Sequence, residues 1–189
     1  LDKNDQGIEK VLVLGSARYC DEWIEKNIAI SPRALSGEIC DDQRLKCAFM
    51  ATRIQYKVDV DQMKSMFKRL SEIEESKVVI KPHTRSIQEN KLYYDTNLDD
   101  VSNISSVELC QWADVILVIA SSVMIEALQQ GKVVLYLKYL HSNRTLHEEY
   151  KDCWVIESED ELVEALFRLN NDINDVPYQS ENTNNFLLD

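Results

Sequence analysis

Short, unbroken apolar runs constrain this chain more than any other feature. Val11-Leu12-Val13-Leu14, Val78-Val79-Ile80, Val115 to Ile119 and Val133 to Leu137 run three to five residues without a charged interruption. A strand with one wet face alternates polar and apolar residues, whereas a strand buried on both faces reads as a continuous run. The runs alternate with helical patterns. Residues 20–30 form one, ended by Ser31-Pro32-Arg33 because the residue before a proline avoids the helical region. Residues 59–75 carry Val60, Met63, Met66, Phe67, Leu70 and Ile73 along one stripe. Ser105-Ser106-Val107-Glu108 has the form of a capping box opening a short helix through Trp112. Ser121-Ser122 opens another, which ends before Gly131, a natural C′ residue. Residues 159–169 are amphipathic, with Leu162, Val163, Leu166 and Leu169 on one side, and Leu92-Tyr93-Tyr94 and Cys153 to Ile156 complete the strands. Residues 31–57 give no clear pattern.

Strands alternating with helices predict an α/β fold, a Rossmann-like parallel sheet with helices on both faces. The chain of 189 residues suits a single domain over residues 10–169, with a flexible N-terminus at 1–9 and a flexible polar tail at 170–189. Ligands of such sheets bind at the carboxyl ends of the strands, near a topological switch point.

The formal net charge of -12 argues against nucleic acid and anionic lipid as partners, so bound phosphate must be held by a few placed groups. The five cysteines are odd in number and lack a C-x-x-C pair, which supports neither a disulfide framework nor a zinc site. Reduced thiols fit a cytoplasmic protein. No apolar run approaches the length of a membrane span.

Four strand ends carry candidate chemistry. Ser121 and Ser122 follow a buried strand at a helix start, where free N–H groups favour phosphate. Glu126, four residues after Ser122, shares its face and could accept hydrogen bonds from ribose hydroxyls. The plain alternative is a serine cap and a solvated glutamate. Gly15, Ser16 and Arg18 form a strand-end turn able to hold phosphate oxygens or to be an ordinary turn; it is neither a dinucleotide fingerprint nor a P-loop. Lys81 and His83 lie with Arg85 in a cluster that could face a diphosphate or simply be an exposed basic turn. His141, Arg144 and His147 either border the same cleft or are solvated loop residues. The histidines lack metal spacing, no serine elbow is present, and the acidic run from Glu157 to Glu161 reads as a solvated helix face.

The segment from Ala113-Asp114-Val115 to Gly131-Lys132-Val133-Val134 resembles the donor-binding signature of GT-B glycosyltransferases. That signature runs from an Ala-Asp strand start through a small-residue turn and a helix with an early Glu to Gly-Lys-Pro-Val; Val133 stands here in place of the Pro. The resemblance implies that Glu126 binds the nucleotide's ribose and that Ser121 and Ser122 contact its diphosphate. The opening from Lys10 to Trp23 looks like the first strand and phosphate-side loop of the C-terminal domain. Val78 to Arg85 is similar to a strand end of bacterial surface-polysaccharide transferases, which mostly show His-Pro where this chain shows Pro-His-Thr. Nucleotide-sugar epimerases share the fold.

The resemblance implies the donor-binding half of a metal-independent transferase, with a nucleotide-sugar as substrate and no cofactor. The acceptor site and general base then belong to another domain or subunit, so the isolated chain is expected to bind nucleotide and transfer poorly. A nucleotide-sugar epimerase and a non-catalytic binding module are the alternatives.

Overall fold

The computed structural model describes residues 20–30, 42–52, 57–83, 96–145 and 153–178. Their strands are β1 (Leu45–Met50), β2 (Ser76–Lys81), β3 (Asp99–Asp100), β4 (Val115–Val118), β5 (Val133–Leu137) and β6 (Trp154–Ile156). All pair in parallel, in the order β3-β2-β1-β4-β5-β6. The helices are α1 (Asp21–Ile30), α2 (Val60–Ser71), α3 (Ser106–Trp112), α4 (Val123–Gln129) and α5 (Glu159–Asn171).

Alternate strand residues face opposite ways, and the two faces build two cores. Cys47, Phe49, Val78, Ile80, Leu117 and Leu135 meet Met63, Met66, Phe67 and Leu70 of α2 and Leu162, Ala165, Leu166 and Leu169 of α5. Phe49 and Phe67 meet edge to face at 5.1 Å. Ala48, Met50, Val79, Ile116, Val118, Val134 and Tyr136 meet Leu109 and Cys110 of α3 and Met124, Ala127 and Leu128 of α4. The β1-α2-β2 and β4-α4-β5 units step in opposite directions along the sheet and use opposite faces, as right-handed crossovers require.

Local chemistry sets the helix ends. The Asp59 carboxylate accepts from the amides of Asp61 and Gln62 at the start of α2. Ser105 Oγ accepts from Glu108 N at 3.1 Å, so the expected serine cap of α3 forms. After α4, Gly131 takes φ +67°, the left-handed region that only glycine enters cheaply. Its amide bonds Leu128 O and that of Lys132 bonds Ala127 O, which satisfies two terminal carbonyls.

Strand β1 lies within residues 31–57, the stretch without a clear sequence pattern. Lys46 interrupts its apolar run, and Ala48 has little strand preference; its central place between β2 and β4 overrides both. The expected strands at Val11–Leu14 and Leu92–Tyr94 lie outside the described residues. Helix α5 runs through Asn171, and Val176 and Tyr178 pack on the α2/α5 core, so packed chain continues past the point where a polar tail was expected to begin.

Candidate functional site

Because all six described strands run the same way, their carboxyl ends share one edge. The chain leaves β1 toward β2 and β3 on one side and leaves β4 toward β5 and β6 on the other. The switch point therefore lies between β1 and β4, and diverging crossovers open a crevice outside their carboxyl ends. Lys81, Met50, Val118 and Tyr136 form one row in register. Pairing continues one residue further, where Ala51 N donates to Lys81 O at 3.0 Å. Two residues beyond the row stand His83, Thr52 and Ala120, followed by Ser121. At the usual strand spacing His83 and Ala120 are separated by two strand steps, on the order of 10 Å. Thr52 is a buried polar residue that sequence reasoning missed; it lay in the unread stretch, and only the placement of β1 gives it meaning.

Ser121 and Ser122 form the turn between β4 and α4. Ser121 Oγ accepts from Val123 N at 3.4 Å. Ser122 holds the cap position in a helical conformation, φ -65° and ψ -15°, and its side chain makes no capping bond. An exposed hydroxyl is thus left at the edge. Helix α4 has only seven residues, so its axial field is small and hydroxyls matter more than the dipole.

Glu126 is 7% exposed, which corrects the alternative of a solvated helix glutamate. It lies one turn past Ser122 and one turn before Gln130, on a single stripe of α4. With Gln130 it lines a cavity of about 250 Å³ whose other walls are Trp23, Ile24 and Asn27 of α1 and Ser106 and Val107 of α3. Its charge reaches Cys110: burial first, and then the Glu126 carboxylate, push that thiol up to about 12. The other buried thiols, Cys47 and Cys153, are raised mainly by burial.

Lys81 is half-buried. Its Nζ donates to Ser102 O at 2.8 Å. Burial lowers its pKa, and the nearby Asp100 charge opposes the shift. Lys81 is therefore not an exposed basic turn residue but a cation already engaged with the loop after β3. His83 is partly buried at the end of β2. Gly15, Ser16 and Arg18 lie outside the described residues, as do Arg85 and His147.

His141 is buried rather than solvated, a second correction. Asn143 N donates to its Nδ1 at 3.2 Å, so Nδ1 is an acceptor and the ring hydrogen sits on Nε2. Nε2 then donates to Tyr136 Oη at 2.7 Å, and Tyr136 Oη shares a second hydrogen bond with Thr145 Oγ1 at 2.8 Å. Val58 bridges to His141 and Asp59 N donates to Leu140 O at 2.8 Å, which ties the exit of β5 to the entry of α2. His141 thus holds the edge in shape, and Arg144 is exposed beside it.

Among the described residues, no group of three His, Cys, Asp or Glu side chains could hold a metal. Likewise no helix among them is long and apolar enough to cross a membrane.

No family model matches this chain, and no curated protein does. Solved structures do. The UDP-GlcNAc 2-epimerase of Methanocaldococcus jannaschii, in complex with UDP-GlcNAc and UDP, matches 87% of this chain and 50% of its own at a TM-score of 0.55 and 15% identity. The MnaA protein of S. aureus, in a structure with UDP, matches 75% of this chain and 40% of its own at 0.50 and 20% identity. The KpsC beta Kdo 2,7 transferase of Thermosulfurimonas dismutans matches 72% of this chain and 52% of its own at 0.45 and 16% identity. The chain spans about half the length of these structures or less. At such identities the first two likenesses establish the fold: the sheet is Rossmann-like and corresponds to part of a longer protein in each.

Proposed function

We propose that this chain is the donor-binding half of a GT-B glycosyltransferase of surface-polysaccharide biosynthesis, holding a nucleotide-sugar across the carboxyl edge of its sheet. The observation that carries the reading is Glu126: a buried carboxylate beside a cavity, one helical turn from the exposed hydroxyl of Ser122. A carboxylate accepts two hydrogen bonds from a ribose diol, and the serine pair meets the diphosphate. His83, with the Gly15-Ser16-Ala17-Arg18 turn, supplies charge to the leaving phosphate. Lys81 contributes at longer range, since its ammonium already serves Ser102. Stabilising the leaving group by placed cations and hydroxyls is electrostatic catalysis and needs neither metal nor cofactor. The acceptor and its general base then come from another domain or subunit, consistent with a chain about half the length of its structural neighbours.

A second reading is favoured by one observation: the Methanocaldococcus jannaschii and S. aureus neighbours are both described with UDP, the first of them as a UDP-GlcNAc 2-epimerase. An epimerase would share the nucleotide site and differ at the sugar. Both readings make UDP the first ligand to try.

Calorimetry with UDP, CDP, CMP and GDP tests the site. Saturable binding of UDP that weakens about tenfold or more in Glu126→Ala and Ser122→Ala supports it, since hydrogen bonds involving a charged group are worth roughly 1.5–3 kcal/mol. Absence of binding to all four nucleotides sinks it and leaves a binding module that keeps only the fold. Sugar epimers formed without an acceptor select the second reading over the first.

A further inference from the structure

We infer that the cavity between α1, α3 and α4 is a nucleoside pocket in which the base stacks on Trp23; this rests on the nucleotide reading above. Helix α1 has no buried residue. It nevertheless sets one large aromatic ring, 48% exposed, against a cavity of about 250 Å³. A single exposed tryptophan is unremarkable alone. Here the same cavity also holds the buried Glu126 carboxylate, the amides of Asn27 and Gln130 and the hydroxyl of Ser106.

The chemistry of these walls selects the occupant. A carboxylate repels phosphate, so the cavity does not take the anionic end of a ligand. It accepts only, which suits a diol. An indole face suits a flat ring. Asn27 Nδ2 spends one hydrogen on Trp23 O at 2.7 Å, which leaves Oδ1 to accept and the second N–H to donate, a match for the mixed donor and acceptor edge of a base. A flat ring with a polar edge, joined to a diol and leading to an anion, is a nucleoside diphosphate. The stripe on α4 sets the direction. Ser122 lies at the sheet edge, Glu126 follows about 6 Å along the helix axis and Gln130 as far again. The phosphates then stay at the edge, the ribose meets Glu126, and the base reaches inward toward Trp23.

The test measures UDP and inorganic pyrophosphate binding to the full chain by calorimetry, with tryptophan emission followed during the UDP titration. Trp23→Phe keeps a stacking ring and is expected to hold UDP within about threefold of the parent while losing most of the quench. Trp23→Ala is expected to weaken UDP about tenfold, a loss typical of base–aromatic stacking, and to leave pyrophosphate unchanged. Circular dichroism and the melting temperature of both variants check that the exposed substitution leaves the fold intact. UDP affinity that is unaltered in Trp23→Ala overturns the pocket and leaves the phosphate site standing. Failure of the parent to bind either UDP or pyrophosphate overturns the nucleotide reading itself.

Discussion

Tyr136→Phe removes one oxygen from a fully buried ring, and the structure says what that oxygen does. Tyr136 Oη accepts from His141 Nε2 and is hydrogen-bonded to Thr145 Oγ1, at 2.7 and 2.8 Å. His141 is itself buried, so its N–H cannot turn to water when the acceptor is lost. Leaving a buried donor unsatisfied costs about 1–3 kcal/mol, and the bond to Thr145, which is only partly buried, adds about 0.5 kcal/mol. The expected loss is therefore about 1.5–3.5 kcal/mol, or roughly 3–14 °C in Tm for a domain of this size. Urea titration followed by far-ultraviolet circular dichroism measures it, with an unchanged m-value showing that the unfolded reference has not moved. The control is Tyr139→Phe, in the turn just after the same strand. Tyr139 Oη is buried with no hydrogen-bond partner among the described residues, and burial pushes its phenol pKa up. Removing that hydroxyl is expected to be neutral or slightly stabilising. Equal effects of the two substitutions would refute the reasoning, because the hydrogen-bonded partners are the relevant difference between the two hydroxyls.

Two further outcomes follow from local backbone and capping chemistry. A Cβ at Gly131 meets nothing within 4 Å, so Gly131→Ala carries only the left-handed backbone cost of about 1–2 kcal/mol, less about 0.4–1 kcal/mol of unfolded-state entropy, and Gly131→Asn loses less in the same urea titration. Backbone and side-chain bonds from Gln62 hold the Asp59 carboxylate below its usual pKa, so its contribution is present above the ordinary carboxylate range and fades as pH falls through the folded value; the Tm difference between the parent and Asp59→Ala is expected to shrink on acidification from about pH 7 to about pH 2.5, as read by scanning calorimetry.

The fold was legible where burial was complete on both faces. Val115 to Val118 and Val133 to Leu137 are strands because nothing polar interrupts them, and the parallel sheet follows from their alternation with helices. The stripe of Met63, Met66, Phe67 and Leu70, the Ser105 cap and the turn at Gly131 were equally plain, since each rests on chemistry within one element. β1 was not legible. Its identity depends on neighbours at residues 76–81 and 115–118, and a lysine and an alanine within six residues erase the local signal. The same limit hid Thr52 and misjudged His141. Whether a loop histidine is solvated depends on a tyrosine five residues away pointing to the same side, which periodicity does not report. Glu126 was found by its spacing, but its burial comes from α1 and α3 packing beside it, contacts that are remote in sequence.

These placements also change how an acidic chain would hold a diphosphate. Positive charge is sparse near the switch point among the described residues: Lys81 is committed to Ser102, and α4 is too short to add much of a dipole. Beside them stand partly buried His83, exposed Arg144 after β5, the hydroxyls of Ser121 and Ser122, and buried Thr52. Hydrogen bonds to uncharged groups weaken little with salt, whereas pairing with lysines and arginines weakens steeply. A site built this way would draw much of its affinity from the nucleoside end, where Glu126 is shielded from solvent and Trp23 offers a ring. The diphosphate would then be positioned more than it is gripped, which suits a group that must leave: a site that bound the ground-state diphosphate tightly through charge would gain less as further charge developed on it during transfer.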